Sequence, residues 1–595
     1  MIEIPPALIP IAGALLVPLL SGNARKAYLL AVSVATLAAT LVLTPNSTFT
    51  VPFLGYDLVL LHVDSLSLIV GYIFAFMGVI AVVYSMREER AGHHMAALIQ
   101  IGSGLGIVFA GDFLSLYLFW EALAVTSLAL IWYGEREESR DAGMRYILLH
   151  IFGGGCLLGG IALHAAATGS MAVGEVAPGI GSLLLLIGIG MNAAFIPLHV
   201  WLPDAYPRSS VAGGVILCIF TTKAAIYLLA RTFSGAEAVA YMGGLMVVYG
   251  VTLALMQNDV RKLLSYHIVS QVGYMVVGIG IGTALGISGG IAHLFNHILY
   301  KGLLFMCMGA VIYTTGRHNL TDLGGLARRM PVTMIACVVA AASISGIPGF
   351  NGYVSKGMVI DAAASMQMTG LEIVLTLGAV GTLLSFVKLT YYVFFKKNNE
   401  IEAREAPLPM LIAMTVTAFC CILFGVYPGL LFAILPIPID YHPFTAGHLI
   451  ETGGIVVVAA AILLLGWSLF RPKEKPFPDL MEVYRLGGRG ILGFSTTAAN
   501  RVSDALAAAQ RSVIARLGWF VQDPVMATTI LAGTALLPVA RAALPRARAA
   551  SLEEDLMRTR EEYPGNPARM WGTGYGLLLV TLFLIIYFVV LFLIG

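Results

Sequence analysis

Residues 293–301 read His-Leu-Phe-Asn-His-Ile-Leu-Tyr-Lys, and this stretch decides how the whole chain is interpreted. It lies within an apolar segment, 286–315, that is long enough to cross a bilayer, since ~20 apolar residues suffice. His293, His297 and Lys301 are spaced four residues apart, so on a helix they share one face over two turns. The stretch therefore predicts a membrane helix that carries a stripe of ionisable side chains.

Two other interpretations of this stripe concern the histidines alone. A single buried histidine is usually a hydrogen-bonded core residue. A metal site at His293 and His297 needs a third ligand, and the sequence shows no candidate for it. Together with Lys301 and water, however, the two histidines can pass protons along the helix, because histidine titrates near neutral pH. The three residues together favour a proton relay.

The composition identifies the bilayer as the main solvent of this chain. Of its 595 residues, 58% are hydrophobic and only 11% are charged, with a mean hydropathy of +0.87. A soluble domain carries roughly 25% charged residues. The net charge of +2 and the lack of a basic patch give no indication of nucleic-acid binding. The six cysteines lie in apolar runs without metal-like spacing, and no P-loop or dinucleotide motif occurs, so we expect no cofactor, no metal and no catalytic centre in this chain.

Apolar runs of bilayer length recur almost from end to end, about sixteen by that criterion. They predict an all-α polytopic membrane protein with membrane segments at 5–21, 27–44, 64–85, 92–110, 112–133, 143–168, 180–201, 208–233, 237–257, 262–284, 286–315, 331–367, 371–395, 407–428, 452–470 and 571–594. Residues 45–63 are rich in Thr, Val, Phe and Tyr and predict a short hairpin outside the membrane. The long segment 331–367 is interrupted at Ser345-Gly346-Ile347-Pro348-Gly349, which predicts a broken helix.

Basic residues indicate the orientation, because they accumulate in cytoplasmic loops. Loops after odd-numbered segments hold sixteen lysines and arginines, whereas loops after even-numbered segments hold one, Arg231. This asymmetry places the odd loops in the cytoplasm and both termini outside. We expect a bacterial or archaeal cell membrane as the location.

The parity of the segments also predicts an inverted repeat. The segments of 92–233 start inside and those of 237–395 start outside, so any likeness between these two blocks of five is inverted. The fourth member of each block is broken near a proline, Pro197 or Pro348, and the fifth carries a buried lysine, Lys223 or Lys388. Paired broken helices in inverted repeats indicate a transport site at the membrane midplane. The alternative is a pair of ordinary proline kinks.

The predicted organisation has six parts. They are N-terminal helices with an outer hairpin (1–91), a first five-helix repeat (92–233), a second, inverted repeat (237–395), peripheral helices (407–470), a cytoplasmic amphipathic segment (471–570) and a last membrane helix (571–595). In the amphipathic segment, apolar residues recur at helical spacing: Val502, Leu506, Ala509, Val513, Leu517 and Phe520. This pattern predicts a lateral helix along the membrane or a neighbouring subunit, or alternatively a helix that packs on its own domain.

Ionisable residues deep in the membrane segments are candidates for function, since each costs about 2.5–3.5 kcal/mol at the bilayer centre. Five such residues lie deep within the predicted segments: Glu121, Lys223, Lys301, Lys356 and Lys388. Four acids stand at segment edges, where solvated or helix-capping roles are adequate: Asp64, Asp112, Asp259 and Glu372. For Glu121 the alternative to a proton switch is a carboxyl that only clamps neighbouring helices.

Several of these residues also belong to motifs that resemble the antiporter-like subunit family of complex I, membrane-bound hydrogenases and Mrp antiporters. The resemblance covers about 60–400, in order and spacing, at Asp64-Ser65-Leu66-Ser67, 112–121, 197–205, 259–274, 293–305, Leu323-Gly324-Gly325-Leu326 and Ser355-Lys356. Within this family, the motifs resemble those of the D-type Mrp component most. The amphipathic segment with a last span resembles the longest complex I pump.

The resemblance implies roles for individual residues. Glu121 matches the family's glutamate, Lys223 a bridging lysine, Lys301 the central lysine and Lys356 the terminal lysine that faces the exit. One match fails, because the lysine that the family pattern implies five residues before the proline of the seventh segment is Asn192 here.

Without that lysine Glu121 lacks its implied partner, and Arg145 or Lys223 is then the candidate that could neutralise it. Unless one of them reaches it, we expect a neutral, hydrogen-bonded acid. Lys388 is an additional candidate that the family pattern does not require.

The resemblance implies a proton-translocating subunit of a larger membrane complex, with other membrane subunits as partners. Coupling to redox chemistry in those partners and coupling to sodium exchange both remain open. A structural or docking subunit with impaired pumping is the alternative, and Asn192 is the observation that favours it.

Overall fold

The computed structural model describes residues 4–53, 55–398, 400–466, 470–473 and 480–563. Apart from one β-hairpin, the regular structure in these ranges is helical. The chain divides into two compact units, Met1–Leu480 and Met481–Gly595. The all-α membrane architecture that the composition predicts is therefore confirmed in outline.

The first unit opens with three helices and the hairpin: α1 (Leu8–Ala14), α2 (Gly22–Leu41), β1 (Thr48–Phe53), β2 (Tyr56–His62) and α3 (Ser65–Tyr84). The two strands pair antiparallel, with Phe53 opposite Tyr56 at the turn. This confirms the hairpin predicted for 45–63, and its position outside the membrane stays a prediction.

The next twelve helices lie in the two regions that were predicted as repeats. The first block contains α4 (Ala91–Phe109), α5 (Phe113–Trp132), α6 (Glu137–Thr168), α7 (Ile180–Asn192), α8 (Trp201–Ala205) and α9 (Val211–Thr232). The second contains α10 (Glu237–Leu255), α11 (Val260–Ile281), α12 (Ala284–Thr315), α13 (Pro331–Ser345), α14 (Asn351–Ser365) and α15 (Thr369–Thr390). The unit ends with α16 (Leu408–Val426), α17 (Gly429–Phe432) and α18 (Ala446–Gly466).

The two blocks share a local bonding pattern at a constant spacing along the chain. In the first block the amide of Phe113 donates to Met171 O (2.7 Å) and the amide of Val173 donates to Gly111 O (3.1 Å). In the second, Val260 donates to His318 O (2.9 Å) and Leu320 donates to Asn258 O (2.8 Å). Each residue number differs by 147 between the blocks (260 minus 113, 318 minus 171, 320 minus 173 and 258 minus 111). This correspondence supports an internal repeat, and its inverted orientation stays a prediction.

Both predicted breaks are present. Between α13 and α14 the chain turns through Gly346 (φ +75°) and Gly349 (φ +88°), a left-handed conformation that glycine adopts without steric cost. This confirms the interruption predicted within 331–367. In the first block, α7 ends at Asn192, five residues before Pro197, so the interruption begins earlier than the proline alone indicates.

Three of the four acids at the segment edges cap helices, which is one of the two roles predicted for them. The side chains of Asp64, Asp112 and Asp259 accept backbone N–H groups at the starts of α3, α5 and α11. Asp64 also pairs with Arg231 at the end of α9.

Twelve helices in the described ranges are long and apolar enough to cross a membrane. All but one of them coincide with predicted segments. The segments predicted at 5–21, 92–110, 180–201 and 331–367 are also helical, but their helices are shorter or more polar. The predicted segment 571–594 lies outside the described residues. The total of sixteen therefore stays a prediction.

Burial separates the central helices from the peripheral ones. In α11, 94% of the most apolar 18-residue window is buried, and in α9 the value is 89%, whereas in α18 it is 6%. The predicted site residues lie mainly on the buried helices. This arrangement requires that their polar groups find partners within the protein, because lipid offers none.

The second unit contains α19 (Leu480–Gln522) from its second residue onward, α20 (Pro524–Ala543) and α21 (Arg546–Glu561). The helix predicted from the apolar spacing at 502–520 is confirmed as part of α19, and its apolar residues Val502, Leu506 and Leu517 are exposed. What this face contacts stays a prediction. Helix α20 was not predicted as a separate element, although it is apolar and long enough to span a membrane, because the pattern of 471–570 indicated one amphipathic segment.

Candidate functional site

Glu121 lies in the middle of α5 beside a glycine of α6. A Cβ atom at Gly154 would clash with Glu121 Oε1, so the carboxyl group occupies the space that this glycine leaves free. Tyr117 precedes Glu121 by one helical turn, so the two side chains share a face of α5. Among the described residues, Glu121 Oε1 is buried without a hydrogen-bond partner. This is the environment of a neutral acid more than that of a carboxylate.

Arg145 has a different partner from the one that the sequence suggested. Its Nε lies 2.7 Å from Asp204 Oδ2 and its Nη2 lies 3.1 Å from Asp204 Oδ1. Arg208 pairs with the same carboxylate, which is 5% exposed. The prediction that Arg145 could neutralise Glu121 is therefore wrong in this structure. The physical reason is that a bidentate guanidinium–carboxylate pair holds Arg145 elsewhere.

Asn192 is buried at the last position of α7. It brings no charge to the first block. The other candidate partner of Glu121, Lys223, sits on α9 and donates its Nζ hydrogen bond to Cys218 O (2.5 Å). The helix of Lys223 packs against α12, the helix that carries Lys301.

Three buried lysines, which we call the buried row, lie on α12 and on two helices that pack against it, α9 and α14. Lys223 and Lys301 have no exposed surface and Lys356 is 3% exposed. The helix of Lys301, α12, packs against both α9 and α14, which carry the other two lysines. Lys301 Nζ has no hydrogen-bond partner among the described residues and lies 5.5 Å from the ring centroid of Phe386. An amine so placed requires water or another mobile partner whenever it is charged.

The histidine stripe on α12 is connected to polar groups of neighbouring helices. His293 Nδ1 lies 3.0 Å from Ser355 Oγ, and its Nε2 lies 3.2 Å from the hydroxyl of Tyr300. That hydroxyl is 3.5 Å from Gln271 Oε1, a long contact at the limit of hydrogen bonding. Both ring nitrogens of His297 lack a partner among the described residues, and its ring centroid is 6.4 Å from that of His293.

Tyr300, Gln271 and Ser355 were not predicted as members of this network. Each is a polar residue within a buried apolar helix, and that was the available signal. The described ranges hold no group of three metal-ligating side chains, and His293 and His297 have no third ligand there.

Lys356 and Lys388 both bind backbone carbonyl groups at helix ends. Lys356 Nζ donates to Ile344 O (2.7 Å) at the break between α13 and α14. Lys388 Nζ donates to Leu255 O (2.7 Å) and Gln257 O (3.0 Å) where α10 ends. A cation at a helix C-terminus satisfies free carbonyls and the helix dipole. Lys388 therefore has a structural role that is sufficient to explain its burial.

A model of the family described as "NADH:quinone oxidoreductase/Mrp antiporter, TM" matches residues 110–385. An uncharacterised protein of Methanocaldococcus jannaschii, MJ1309, is 33% identical over 381 residues, which are 59% of this chain and 78% of that protein. The A-type component of a Na(+)/H(+) antiporter of Alkalihalophilus pseudofirmus is 29% identical over 435 residues, 64% of this chain and 54% of that component. The chain thus spans about half the length of the A-type antiporter components that it matches.

Solved structures show the same fold. A chain of the Mrp complex from Dietzia sp. DQ12-45-1b superposes with a TM-score of 0.76 at 22% identity, over 90% of this chain and 66% of that one. A chain of respiratory complex I from Thermus thermophilus gives a TM-score of 0.64 at 27% identity, over 73% of this chain and 100% of that one. A chain of an archaeal membrane-bound sulfane sulfur reductase gives 0.68 at 24% identity, over 90% of this chain and 100% of that chain.

Proposed function

This chain belongs to the NADH:quinone oxidoreductase/Mrp antiporter membrane family, and from that premise we propose that it carries protons across the membrane through its buried lysines and histidines. The chain is an antiporter-like membrane subunit of the Mrp and complex I type. Its proposed partners are other membrane subunits of one complex in a bacterial or archaeal cell membrane. Sodium, which the names of related antiporter components contain, is the proposed counter-ion if the complex is an antiporter.

The observation that carries this proposal is the buried row of Lys223, Lys301 and Lys356. Each charged side chain in the bilayer costs about 2.5–3.5 kcal/mol. Like charges repel strongly in a low-dielectric medium, so we propose that the three amines are not all charged at once. Protonation of one lysine therefore affects protonation of the next. This coupling is what a stepwise proton carrier requires.

The network between Lys301 and Lys356 supplies intermediate sites. His297 has two free ring nitrogens, and His293 is hydrogen-bonded between Tyr300 and Ser355. In the proposed path a proton leaves Lys301, passes through water and the two histidines, and reaches Lys356. Each histidine can accept a proton at one nitrogen and release one from the other. Lys388 is a peripheral member at most, because it already caps α10.

The Glu121 half of the path is proposed to work differently. Because Arg145 binds Asp204, the remaining candidate for a charge partner is Lys223, which would have to leave Cys218 O to reach Glu121. In the described arrangement we propose that Glu121 is a neutral acid. The second candidate function, a docking subunit with impaired pumping, is favoured by the uncharged Asn192 and by this unpaired carboxyl.

The test of the proposed function is proton translocation by the complete complex in proteoliposomes. Lys301→Ala should reduce translocation at least ~100-fold, the range of a group that transfers protons directly. Lys262→Ala is the matched control, because it also removes a lysine but one in the first turn of α11 that is not part of the proposed path. It should leave the rate unchanged. Near-normal pumping by an assembled Lys301→Ala complex would contradict the proposed relay and would favour the docking function.

A further inference from the structure

A cavity of about 460 Å³ opens beside Lys356, between α14, α15 and the segment that leads into α18. One water occupies ~30 Å³ in the liquid, so the cavity has room for several waters. Its walls carry an unusual set of ionisable groups for an apolar bundle: Lys356, Asp361, Glu372, Tyr441, His448 and Glu451.

A buried hydroxyl in the cavity wall indicates that water occupies it. Ser345, at the end of α13, is 5% exposed, and its Oγ has no hydrogen-bond partner among the described residues. Buried polar atoms are nearly always hydrogen-bonded, to ordered water where protein partners are missing. Since Ser345 and Lys356 line the same cavity, water that satisfies the hydroxyl also reaches the neighbourhood of the lysine.

Asp361 and His448 form a contact in the wall of this cavity. His448 Nε2 lies 3.2 Å from Asp361 Oδ2, and the hydroxyl of Tyr441 donates to the same oxygen at 2.6 Å. The side chains of Asp361 and His448 are 25% and 27% exposed, so the pair also reaches the protein surface. It therefore has access both to the cavity and to the outside of this unit.

The contacts of His448 limit which of its ring nitrogens carries a hydrogen. Its Nδ1 lies 3.2 Å from His442 O and 3.3 Å from Pro443 O. Because carbonyl oxygens only accept, Nδ1 must carry a hydrogen. If the ring were neutral, Nε2 would then be an acceptor that faces a carboxylate, which is also an acceptor. One further proton, on His448 or on Asp361, is needed to make the contact favourable.

We propose that this cavity is a water-filled passage from Lys356 to the surface and that the His448–Asp361 pair is a proton-carrying site within it. The inference rests on the proposed function and extends it by two residues. When Lys356 gives its proton to cavity water and becomes a neutral amine, the pair accepts a proton and becomes an imidazolium next to a carboxylic acid. Release of one proton to bulk water restores the pair, and no other reactant is needed.

The experiment compares two His–Asp pairs in the complete complex reconstituted in proteoliposomes. His448→Gln should slow proton translocation at least ~tenfold, because a positioned acid–base group contributes ~10²–10⁴. The matched control is His442→Gln. His442 lies 3.2 Å from Asp440, but these side chains are 81% and 92% exposed. The control should translocate at the rate of the unchanged complex.

Asp361→Asn is the second variant, since asparagine preserves the shape and the bond from Tyr441. It should slow translocation and change the pH profile of the rate, which a purely structural defect would not do. If His448→Gln fails to assemble, this variant decides the question.

Lys356→Ala separates the two levels of the argument. Loss of translocation in Lys356→Ala, together with full rates and an unchanged pH profile in assembled His448→Gln and Asp361→Asn, overturns the passage and leaves the proposed function intact. Normal translocation by Lys356→Ala overturns both.

Discussion

Glu121 and Lys301 lie beside matching turns of the two blocks, but one side chain is an acid and the other is a base. With the spacing of 147 residues, His150 corresponds to His297 and Gly154 corresponds to Lys301. Where the second block has the lysine side chain on its long helix, the first has only a hydrogen atom. The carboxyl group of Glu121, from the neighbouring α5, fills that space.

The same helical framework therefore holds two different ionisable groups. In both blocks an ionisable group lies next to the same turn of a 32-residue helix, one turn after a histidine. In the first block the group comes from another helix, because the glycine allows its approach. In the second it comes from the helix itself. The equivalent of Glu121 is Ile268, so the second block has no acid at that position.

The largest expected difference concerns Lys223 and Lys388, which lie on the last helices of the two blocks, α9 and α15. Lys223→Ala should reduce proton translocation at least ~tenfold, because it removes a member of the buried row. Lys388→Ala should retain most of the translocation rate. It should instead lower the melting temperature of the purified complex, since the last carbonyls of α10 lose their donor. Equal losses of transport in both variants would contradict the distinction between relay and cap.

The glycine that makes room for Glu121 offers a second test. Gly154→Ala should destabilise the protein by ~1–3 kcal/mol, the usual cost of overpacking, because its Cβ would meet the Glu121 carboxyl. Gly155→Ala is the matched control, as no atom lies within 4 Å of a Cβ there. Thermal unfolding in detergent measures both. A Gly154→Ala variant as stable as the control would show that Glu121 does not point at α6.

Asn192→Lys tests whether the first block can be given the charge that the family pattern implies. If the new lysine reaches Glu121, it should favour the carboxylate over the neutral acid, because opposite charges stabilise each other. The pH dependence of proton translocation should then shift towards lower pH on its acidic side. Asn192→Gln is the control, and it should not shift the profile. An unchanged profile in the lysine variant would place Asn192 outside the path.

The smallest effect is expected for Glu121→Gln. Since the described arrangement shows no cation bound to this carboxyl, glutamine should mimic the neutral acid and keep translocation within ~threefold of the unchanged rate, far less than the loss of an essential acid–base group. The measurement is the initial rate in proteoliposomes, with Glu138→Gln at the start of α6 as a surface control. A severe loss would instead indicate that Lys223 approaches Glu121 during turnover.

Much of the fold could be predicted because its signals are local. Apolar runs indicate the membrane helices, the Gly and Pro residues near 346–349 indicate a break, and Asp112 and Asp259 stand at helix starts. Each of these features depends on residues that are close together in the chain. The apolar segment 524–543 was not predicted as a separate helix. The whole of 471–570, which is rich in basic residues, was interpreted as one amphipathic segment.

The candidate site was predicted as a set of residue types rather than as a set of contacts. A charge in an apolar run is visible in the sequence, so Glu121, Lys223, Lys301 and Lys356 could be named. Whether Arg145 meets Glu121 or Asp204 depends on how α6, which carries Arg145, packs against α8, which carries Asp204. The distance between those residues along the chain carries no information about that packing.

The sequence by itself determined that this chain lies in a membrane, that it is built from apolar helices, and that several of them contain charges too costly to be incidental. Only the tertiary structure decided which polar groups meet. It assigned Arg145 to Asp204 and His293 to Tyr300 and Ser355. The physical reason is that hydropathy is a property of each residue, whereas hydrogen bonds and ion pairs between helices depend on the packing of segments far apart in the chain.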